Sequence, residues 1–375
     1  MGLEPRRPLR LLVVMPSWLG DCVMATPLLR HLRRSLPGCF IGGLVRPGMD
    51  ELLDGAGFFD EVHVERASGV MGPKHAAAKI RPRRYDTALL LTNSFSTALC
   101  TRIAGIPRRI GFDRDARGFL LTDRVEAPRT PGGKWLPIPA ANYYWRLATI
   151  LLDSPPGLAD GSGRWTSQAA ALPQGEMLEL GVTPAQEDAA RRVLHSAGVG
   201  ERERLAIMNP GGNNPAKRWP ADRFAALAMH LGRAHGLHVL VNGSPGERDL
   251  CNEIAAQAGG VVLPDHGVTI GSLKGIVRRS AIMVTNDTGP RHIAAAFGVP
   301  LVSLFGPTDP RWTTIPTRAA APEEVLVADP TLPPEEVADD HPERCRIDRI
   351  PLETVIATVD RVLGHGMPGD VGGGG

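Results

Sequence analysis

Val284-Thr285-Asn286-Asp287-Thr288-Gly289-Pro290-Arg291-His292 joins an apolar run that begins at Ala281 to the alanine-rich segment Ile293-Ala294-Ala295-Ala296-Phe297. The spelling is that of a buried parallel strand, a tight loop of small polar residues, and the closely packed start of a helix. The first amides of such a helix have no partner within it, and the macrodipole adds roughly half a positive charge there. The residues alone leave two readings open. Either Asp287 or Thr288 caps the helix, or the exposed amides receive an anion such as a phosphate.

The same alternation of strand and helix extends in both directions. Towards the N-terminus, strand-like runs at Leu11–Met15, Phe40–Val45, Val62–Val64, Thr87–Leu91 and Arg109–Gly111 are separated by helical patterns. In the first of these patterns Leu28, Leu29, Leu32 and Leu36 share one face, and Arg30, Arg33 and Arg34 lie largely on the other. Thr26-Pro27 reads either as a cap with a first-turn proline or as a kink in a longer helix starting near Asp21. Residues 128–140 and 153–175 are dense in Pro, Gly, Ser and Ala, and read as loops. A second series follows: a helix from Thr183-Pro184, strands at Leu205–Met208, His238–Val241, Ala281–Val284 and Leu301–Phe305, and helices at Ala221–His235 and Glu247–Ala258. The expected fold class is α/β with parallel sheets, in two domains. The expected divisions are 1–175, 176–350, a final helix at 351–364 that packs back on the first domain, and a disordered tail at 365–375.

Charge is uneven along the chain. Up to Thr166 there are 23 basic against 15 acidic residues, a net of +8, and the remainder carries −6. The first half is therefore expected to meet an anionic partner, set against the blander reading of a solvated basic surface. Cys22, Cys39, Cys100, Cys251 and Cys345 are odd in number and scattered, which argues against a disulfide framework or a zinc motif and points to a reducing cytosol. No apolar stretch reaches the roughly 20 residues needed to span a bilayer, so membrane contact is expected to be peripheral.

Open parallel sheets bind ligands beyond the C-terminal ends of their strands, and three such ends in the second half carry suggestive residues. Asn209-Pro210-Gly211-Gly212-Asn213-Asn214-Pro215-Ala216-Lys217-Arg218-Trp219 lets the backbone approach a ligand closely at Gly211 and Gly212, and offers Lys217 to a phosphate. Its spacing is not that of a Walker loop, and an exposed turn with a solvated lysine is the alternative. Val241-Asn242-Gly243-Ser244-Pro245-Gly246-Glu247 ends on a carboxylate suited to a pair of ribose hydroxyls, or simply to the first turn of a helix. The third end is the Asp287 loop. In the first half, Pro16-Ser17-Trp18-Leu19-Gly20-Asp21 follows the first strand; Asp21 can accept a substrate proton, or can merely complement a helix dipole. This turn lacks the GxGxxG spelling of a nicotinamide-binding fold.

Together these segments resemble the bacterial heptosyltransferases of lipopolysaccharide core synthesis, the family that uses ADP-heptose. The likeness rests on Pro16–Asp21, Leu91-Thr92-Asn93-Ser94-Phe95-Ser96-Thr97-Ala98-Leu99, Ala104-Gly105-Ile106-Pro107-Arg108-Arg109-Ile110-Gly111, Pro215–Pro220 and Asn286–His292 in family order. Cys345-Arg346-Ile347-Asp348 is similar to the second heptosyltransferase in particular. The resemblance implies two facing Rossmann-like domains of the GT-B architecture with the active site in the cleft between them. It implies Asp21 as catalytic base, with Lys217 and the Thr288-Gly289 amides on the diphosphate and Glu247 on the ribose. Asp287, Pro290 and His292 would shape the donor pocket beside Gly211 and Gly212, and Ser17, Asn93, Ser94 and Arg109 would face the acceptor.

The implied chemistry is inverting transfer of heptose without a metal or cofactor, ADP-heptose being a co-substrate. The implied partners are that donor and a lipid-linked phosphorylated glycan at the inner face of the cytoplasmic membrane, not nucleic acid. Arg30, Arg33, Arg34, Arg81, Arg83 and Arg84 are candidates for the acceptor's phosphates. The alternatives are a different nucleotide sugar or acceptor glycan, and a non-catalytic nucleotide-sugar or glycan-binding module.

Overall fold

The computed structural model describes residues 9–66, 69–130, 132–153, 171–333, 336, 341 and 343–365. The chain divides into one compact unit of Met1–Gly181 with Arg311–Ile315, and another of Val182–Pro310 with Pro316–Gly375. The division thus falls a few residues beyond the expected 175.

In the first unit the strands are β1 (Arg10–Val14), β2 (Phe40–Val45), β3 (Glu61–Val64), β4 (Thr87–Leu90), β5 (Arg108–Phe112) and β6 (Asp123–Val125). They form one parallel sheet in the order β3-β2-β1-β4-β5-β6. The helices are α1 (Leu19–Met24), α2 (Thr26–Ser35), α3 (Met49–Leu53), α4 (Gly72–Ile80), α5 (Phe95–Ile103) and α6 (Ala140–Asp153). Leu11, Leu12, Val13 and Val14 are all buried, as expected of a central strand whose two faces are both covered.

The second unit repeats the plan with β7 (Leu205–Asn209), β8 (His238–Val241), β9 (Val261–Val262), β10 (Ser280–Asn286), β11 (Leu301–Phe305) and β12 (Glu323–Val327), ordered β12-β11-β10-β7-β8-β9. Its helices are α7 (Pro184–Ser196), α8 (Ala221–His235), α9 (Arg248–Ala258), α10 (Ile270–Arg278), α11 (Gly289–Phe297) and α12 (Leu352–His365). Counted from each unit's own first strand, both sheets have the order 3-2-1-4-5-6 of a doubly wound dinucleotide fold. Such a sheet has one point where successive connections turn in opposite directions. Here these points lie between β1 and β4 and between β7 and β10.

The Thr26-Pro27 ambiguity resolves as a break. Ala25, at φ −83° and ψ −9°, joins α1 to α2, and Thr26 turns its hydroxyl back to the Val23 carbonyl at 2.7 Å. The final helix is a correction: Val355, Val359, Val362 and Leu363 lie in the second unit's core with Phe224, Leu227 and Leu231, where the sequence reading returned the helix to the first domain. Within the segment read as loop, Arg129 and Trp135 form an antiparallel bridge, and the Trp135 ring lies 4.0 Å from the Arg114 guanidinium carbon and 3.7 Å from that of Arg129. The expected disordered tail lies, apart from His365, outside the described residues. Among the described residues the five cysteines are buried thiols with no disulfide between them.

Candidate functional site

The donor-side candidates stand on β7, β8 and β10, at the second unit's reversal point. Asn286, the last residue of β10, is fully buried. Its Nδ2 donates to the Pro210 carbonyl at 2.7 Å and to the Gly211 carbonyl at 3.2 Å, while its Oδ1 accepts from the Trp219 amide at 3.3 Å. One side chain therefore ties the end of β10 to both ends of the loop that follows β7. Trp219 is held at its far side by a bond from Nε1 to the Ile350 carbonyl at 2.9 Å and by edge-on packing against Phe224. Between these anchors the turn Pro215–Lys217 is capped by Asn214, whose Oδ1 accepts from the Ala216 amide at 3.0 Å.

That turn delivers Lys217 to Asp287. Lys217 Nζ lies 2.9 Å from Asp287 Oδ2, which also accepts from the Thr308 hydroxyl at 3.2 Å. Arg291 Nη1 is 3.7 Å from the other carboxylate oxygen. Burial acts to raise the pKa of Asp287, but the charge and hydrogen bond of Lys217, then Arg291 and His292, hold it below the usual carboxylate value. Asp287 is thus an anion fixed between two cations. Arg291 is itself buried and fork-bonded to Glu323, with Nε–Oε1 2.5 Å and Nη2–Oε2 2.9 Å.

The helix-cap reading of the loop does not hold for the Thr288 side chain. Thr288 occupies the N-cap position of α11 without a side-chain capping bond; its hydroxyl donates instead to the Asn286 carbonyl at 3.3 Å. Asp287 is engaged by Lys217, Thr308 and Arg291. The first amides of α11 thus receive no side-chain cap from Thr288, and they start beside the Lys217–Asp287 ion pair.

Glu247 braces the neighbouring turn. Its Oε1 accepts from the Gly212 amide at 2.6 Å and its Oε2 from the amide and hydroxyl of Ser244, each at 2.8 Å. Burial opposes ionisation, yet the bonds from Ser244 and Gly212 with the charge of Arg218 keep its pKa low. A Cβ at Gly211 would fall 2.2 Å from Glu247 Oε1, so any larger residue there displaces this carboxylate from its bonds. Contact with a ribose would use the lone pairs these donors leave.

His292 is buried, its Nδ1 has no hydrogen-bond partner, and burial followed by the Arg291 charge pushes its pKa down to about 3. It is neutral at physiological pH. Since the unfolded chain carries an ordinary histidine, protons bind the unfolded state preferentially below about pH 6.5, so this residue's contribution to stability is lost as pH falls from there towards 3. The loss of melting temperature between about pH 7 and about pH 4.5 should therefore be smaller in His292→Gln than in the parent; an equal loss would remove His292 as its source. Asn286→Ala should leave two buried carbonyls and one amide unpaired and cost about 2–4 kcal/mol, read by denaturant unfolding followed through Trp219. A loss below about 0.5 kcal/mol would show that the loop closes without it.

In the first unit a cavity of about 680 Å³ opens at the corresponding reversal point and is lined by Ser17, Trp18, Asp21, Arg46, Glu65, Asn93, Ser94 and Tyr144, among others. Asp21 stands in the first turn of α1, where the peptide dipoles favour its charge. Tyr144 on α6 is buried against it and hydrogen-bonds to its carboxylate; burial first, then the Asp21 charge, keeps the phenol protonated well above its ordinary pKa. Arg117, fully buried, donates to the Thr92 and Phe112 carbonyls and, at 3.4 Å, to Asn93 Oδ1. Burial lowers its pKa to about 10, so it remains a cation and fixes the β4–α5 loop from beneath. Ser94 caps α5.

Arg109 is a correction. It is not among the residues lining the cavity; it is buried, donating to the carbonyls of Ile106, Pro107 and Leu120. Most of the arginines read as candidates for the acceptor's phosphates likewise have structural partners. Arg30 binds Glu179, Arg33 binds Asp60 and the Phe58 carbonyl, Arg34 binds Glu176, Arg83 binds Glu61, and Arg81 donates to the Ile103 carbonyl. Sequence reasoning missed Tyr144, Arg117 and the bracing roles of Trp219 and Asn286. Asn286 carried a signal, as a polar residue closing an apolar strand, and Trp219 lay inside the family-like Pro215–Pro220 motif.

The profile of glycosyltransferase family 9 (heptosyltransferase) matches residues 75–134 and 164–331. The chain is 29% identical over 321 residues to lipopolysaccharide heptosyltransferase 2 of Escherichia coli strain K12, covering 81% of this chain and 85% of that protein. It is 28% identical to lipooligosaccharide heptosyltransferase 2 of Haemophilus influenzae, with the same shares covered. Among solved structures, ADP-heptose lps heptosyltransferase II of E. coli superposes with a TM-score of 0.74 at 26% identity, covering 94% of this chain and 98% of that one. A family 9 glycosyl transferase from Veillonella parvula gives 0.75 at 21% identity, covering 96% and 98%, a likeness of fold.

Proposed function

The chain belongs to glycosyltransferase family 9, the heptosyltransferases, and from that premise we propose that it moves a heptose from ADP-heptose to a hydroxyl of a lipopolysaccharide inner-core acceptor, inverting the anomeric configuration. The observation that carries the reading is the Lys217–Asp287 pair beside the start of α11, at the reversal point of a doubly wound sheet. A sugar diphosphate needs donors aimed at the bridging and terminal oxygens where charge grows as the glycosidic bond breaks. Amides at a helix start and one lysine supply them without a divalent ion, which is why no metal enters the proposed step.

On the first unit, Asp21 takes the proton of the acceptor hydroxyl as that oxygen attacks the anomeric carbon and ADP departs from the opposite side. Tyr144 donates to the Asp21 carboxylate and holds it in the cavity. Asn93 and Ser94 offer polar contacts to a sugar, and the exposed ring of Trp18 gives the cavity an apolar margin suited to a lipid-linked acceptor. Among the described residues no helix is long and apolar enough to cross a membrane. The proposed contact with the bilayer is therefore peripheral.

Incubation with ADP-heptose and a heptose-deficient lipopolysaccharide acceptor tests the reading. ADP should be released in step with product, EDTA should leave the rate unchanged, and NMR of the product should show the anomeric configuration opposite to that of the donor. Retention would refute the single-displacement step. Turnover with GDP- or UDP-sugars but not with ADP-heptose would refute the donor.

A further inference from the structure

The second unit gathers two imidazoles and a carboxylate at one point, away from the strand ends that carry Lys217, Glu247 and Asp287. Helix α8 stops at His235 because Gly236 adopts a left-handed φ of 61°, closing the helix with bonds from the Gly236 amide to the Gly232 carbonyl and from the Leu237 amide to the Leu231 carbonyl. Strand β8 begins three residues later at His238. His235 therefore lies at the edge where strands of this sheet start, opposite the edge where they end.

His230 precedes it on α8, and Asp360 comes from α12. The Nε2 atoms of His230 and His235 lie 2.7 Å and 2.6 Å from the same carboxylate oxygen, Asp360 Oδ1, and the two rings stand 5.7 Å apart. All three potential ligand atoms fall within 4.8 Å of one another. Both histidines are about three-quarters buried, with 25% and 22% of their side chains exposed. The helices that present them are fixed, since Val355, Val359, Val362 and Leu363 of α12 share a core with Phe224, Leu227 and Leu231 of α8. Ligands on packed helices are better preorganised than ligands on loops.

We propose that His230, His235 and Asp360 form a binding site for a zinc-like divalent transition-metal ion, which fastens the last helix to α8. Two imidazole nitrogens and one carboxylate oxygen make a three-ligand set that leaves a fourth, tetrahedral position to water. Imidazole favours zinc over magnesium or calcium, which prefer oxygen ligands. Bonds of about 2.0–2.2 Å at tetrahedral angles set the donors about 3.3 Å apart, so each histidine nitrogen need retreat from Asp360 by well under about 1 Å. Each ring would carry its proton on Nδ1 and turn the Nε2 lone pair to the metal, a change of tautomer without net proton release from a neutral imidazole. A simple hydrogen-bonded clamp between the helices would need only one histidine; two converging on a single acceptor oxygen match a ligand set. The site is independent of sugar transfer, which it neither contacts nor supplies.

The test is isothermal titration of Zn²⁺ into the untagged full chain after EDTA treatment and dialysis. One saturable site should appear, with a raised melting temperature, and Mg²⁺ should give no saturable heat. His235→Gln and Asp360→Asn should each weaken Zn²⁺ binding about tenfold or more, with circular dichroism confirming that both variants are folded and ADP release from ADP-heptose unchanged. No saturable Zn²⁺ binding by the parent chain would overturn the proposal. So would equal affinity and stoichiometry in a folded His230→Gln, His235→Gln double variant, which would place the ion elsewhere.

Discussion

Asp21→Asn should lower kcat for heptose transfer by at least about a hundredfold while leaving the affinity for ADP nearly unchanged. The substitution is close to isosteric, and the amide keeps an oxygen to accept the Tyr144 phenol hydrogen, so the wall of the cavity formed by α1 and α6 should persist. What is lost is a proton acceptor. An acceptor hydroxyl is a poor nucleophile until its proton leaves, and a carboxylate that takes the proton as the new bond forms removes the cost of making a free alkoxide. Lys217, Asp287 and Glu247, the residues proposed to hold the donor, lie in the second unit, and the change leaves them untouched.

Two measurements separate this from mere damage: the melting temperature should match that of the parent, and ADP should bind with the same dissociation constant. A kcat within a few-fold of the parent would remove Asp21 from the chemistry. The same carboxylate would then be what the blander reading makes it, a charge complementing the start of α1. Tyr144→Phe offers an intermediate case. It deletes the bond that orients Asp21 without deleting the base, so its loss should appear in kcat and be smaller than that of Asp21→Asn.

Much of this was legible because parallel strands covered on both faces spell themselves as apolar runs. Leu11–Val14 and Ala281–Val284 have no other use for so many buried side chains. The strands that escaped notice are those whose meaning depends on distant partners. Asp123 in β6 is buried where Arg108, one strand away, meets it at 3.2 Å and the Thr122 hydroxyl donates to it at 2.8 Å. Glu323 in β12 reads as a surface charge until Arg291 is placed against it. Arg109 failed in the opposite sense: a basic residue within a family-like motif suggested an anion, yet three carbonyls of its own neighbourhood consume it. Residue types at strand ends can be read from sequence, which is how Lys217, Glu247 and Asp287 could be named as candidates. Which of them pair before any ligand arrives cannot be read, because pairing depends on Asn286 and Trp219 drawing two loops together.

Lys217→Ala should reduce kcat/KM for ADP-heptose by about a hundredfold to a thousandfold, the scale of losing one preorganised charge at a developing anion. The fold should survive, since Asp287 retains the Thr308 hydroxyl at 3.2 Å and the Arg291 guanidinium at 3.7 Å, so its carboxylate is not left buried and alone. How the loss divides between KM and kcat tells what the lysine does. A lysine that only holds the diphosphate in the bound donor would raise KM and leave kcat alone, because it would stabilise ground state and transition state equally. A lysine that meets charge released as the sugar bond breaks must stabilise the transition state more, and kcat then falls by a larger factor than the affinity for ADP.

The second pattern is expected here. Before donor arrives, Lys217 is already neutralised by Asp287, so binding a diphosphate means sharing that cation, and the net gain in the ground state is small. As the leaving diphosphate gains charge, the balance shifts towards it. Equal kcat with a raised KM would confine Lys217 to donor binding, and unchanged values of both would leave it a structural partner of Asp287.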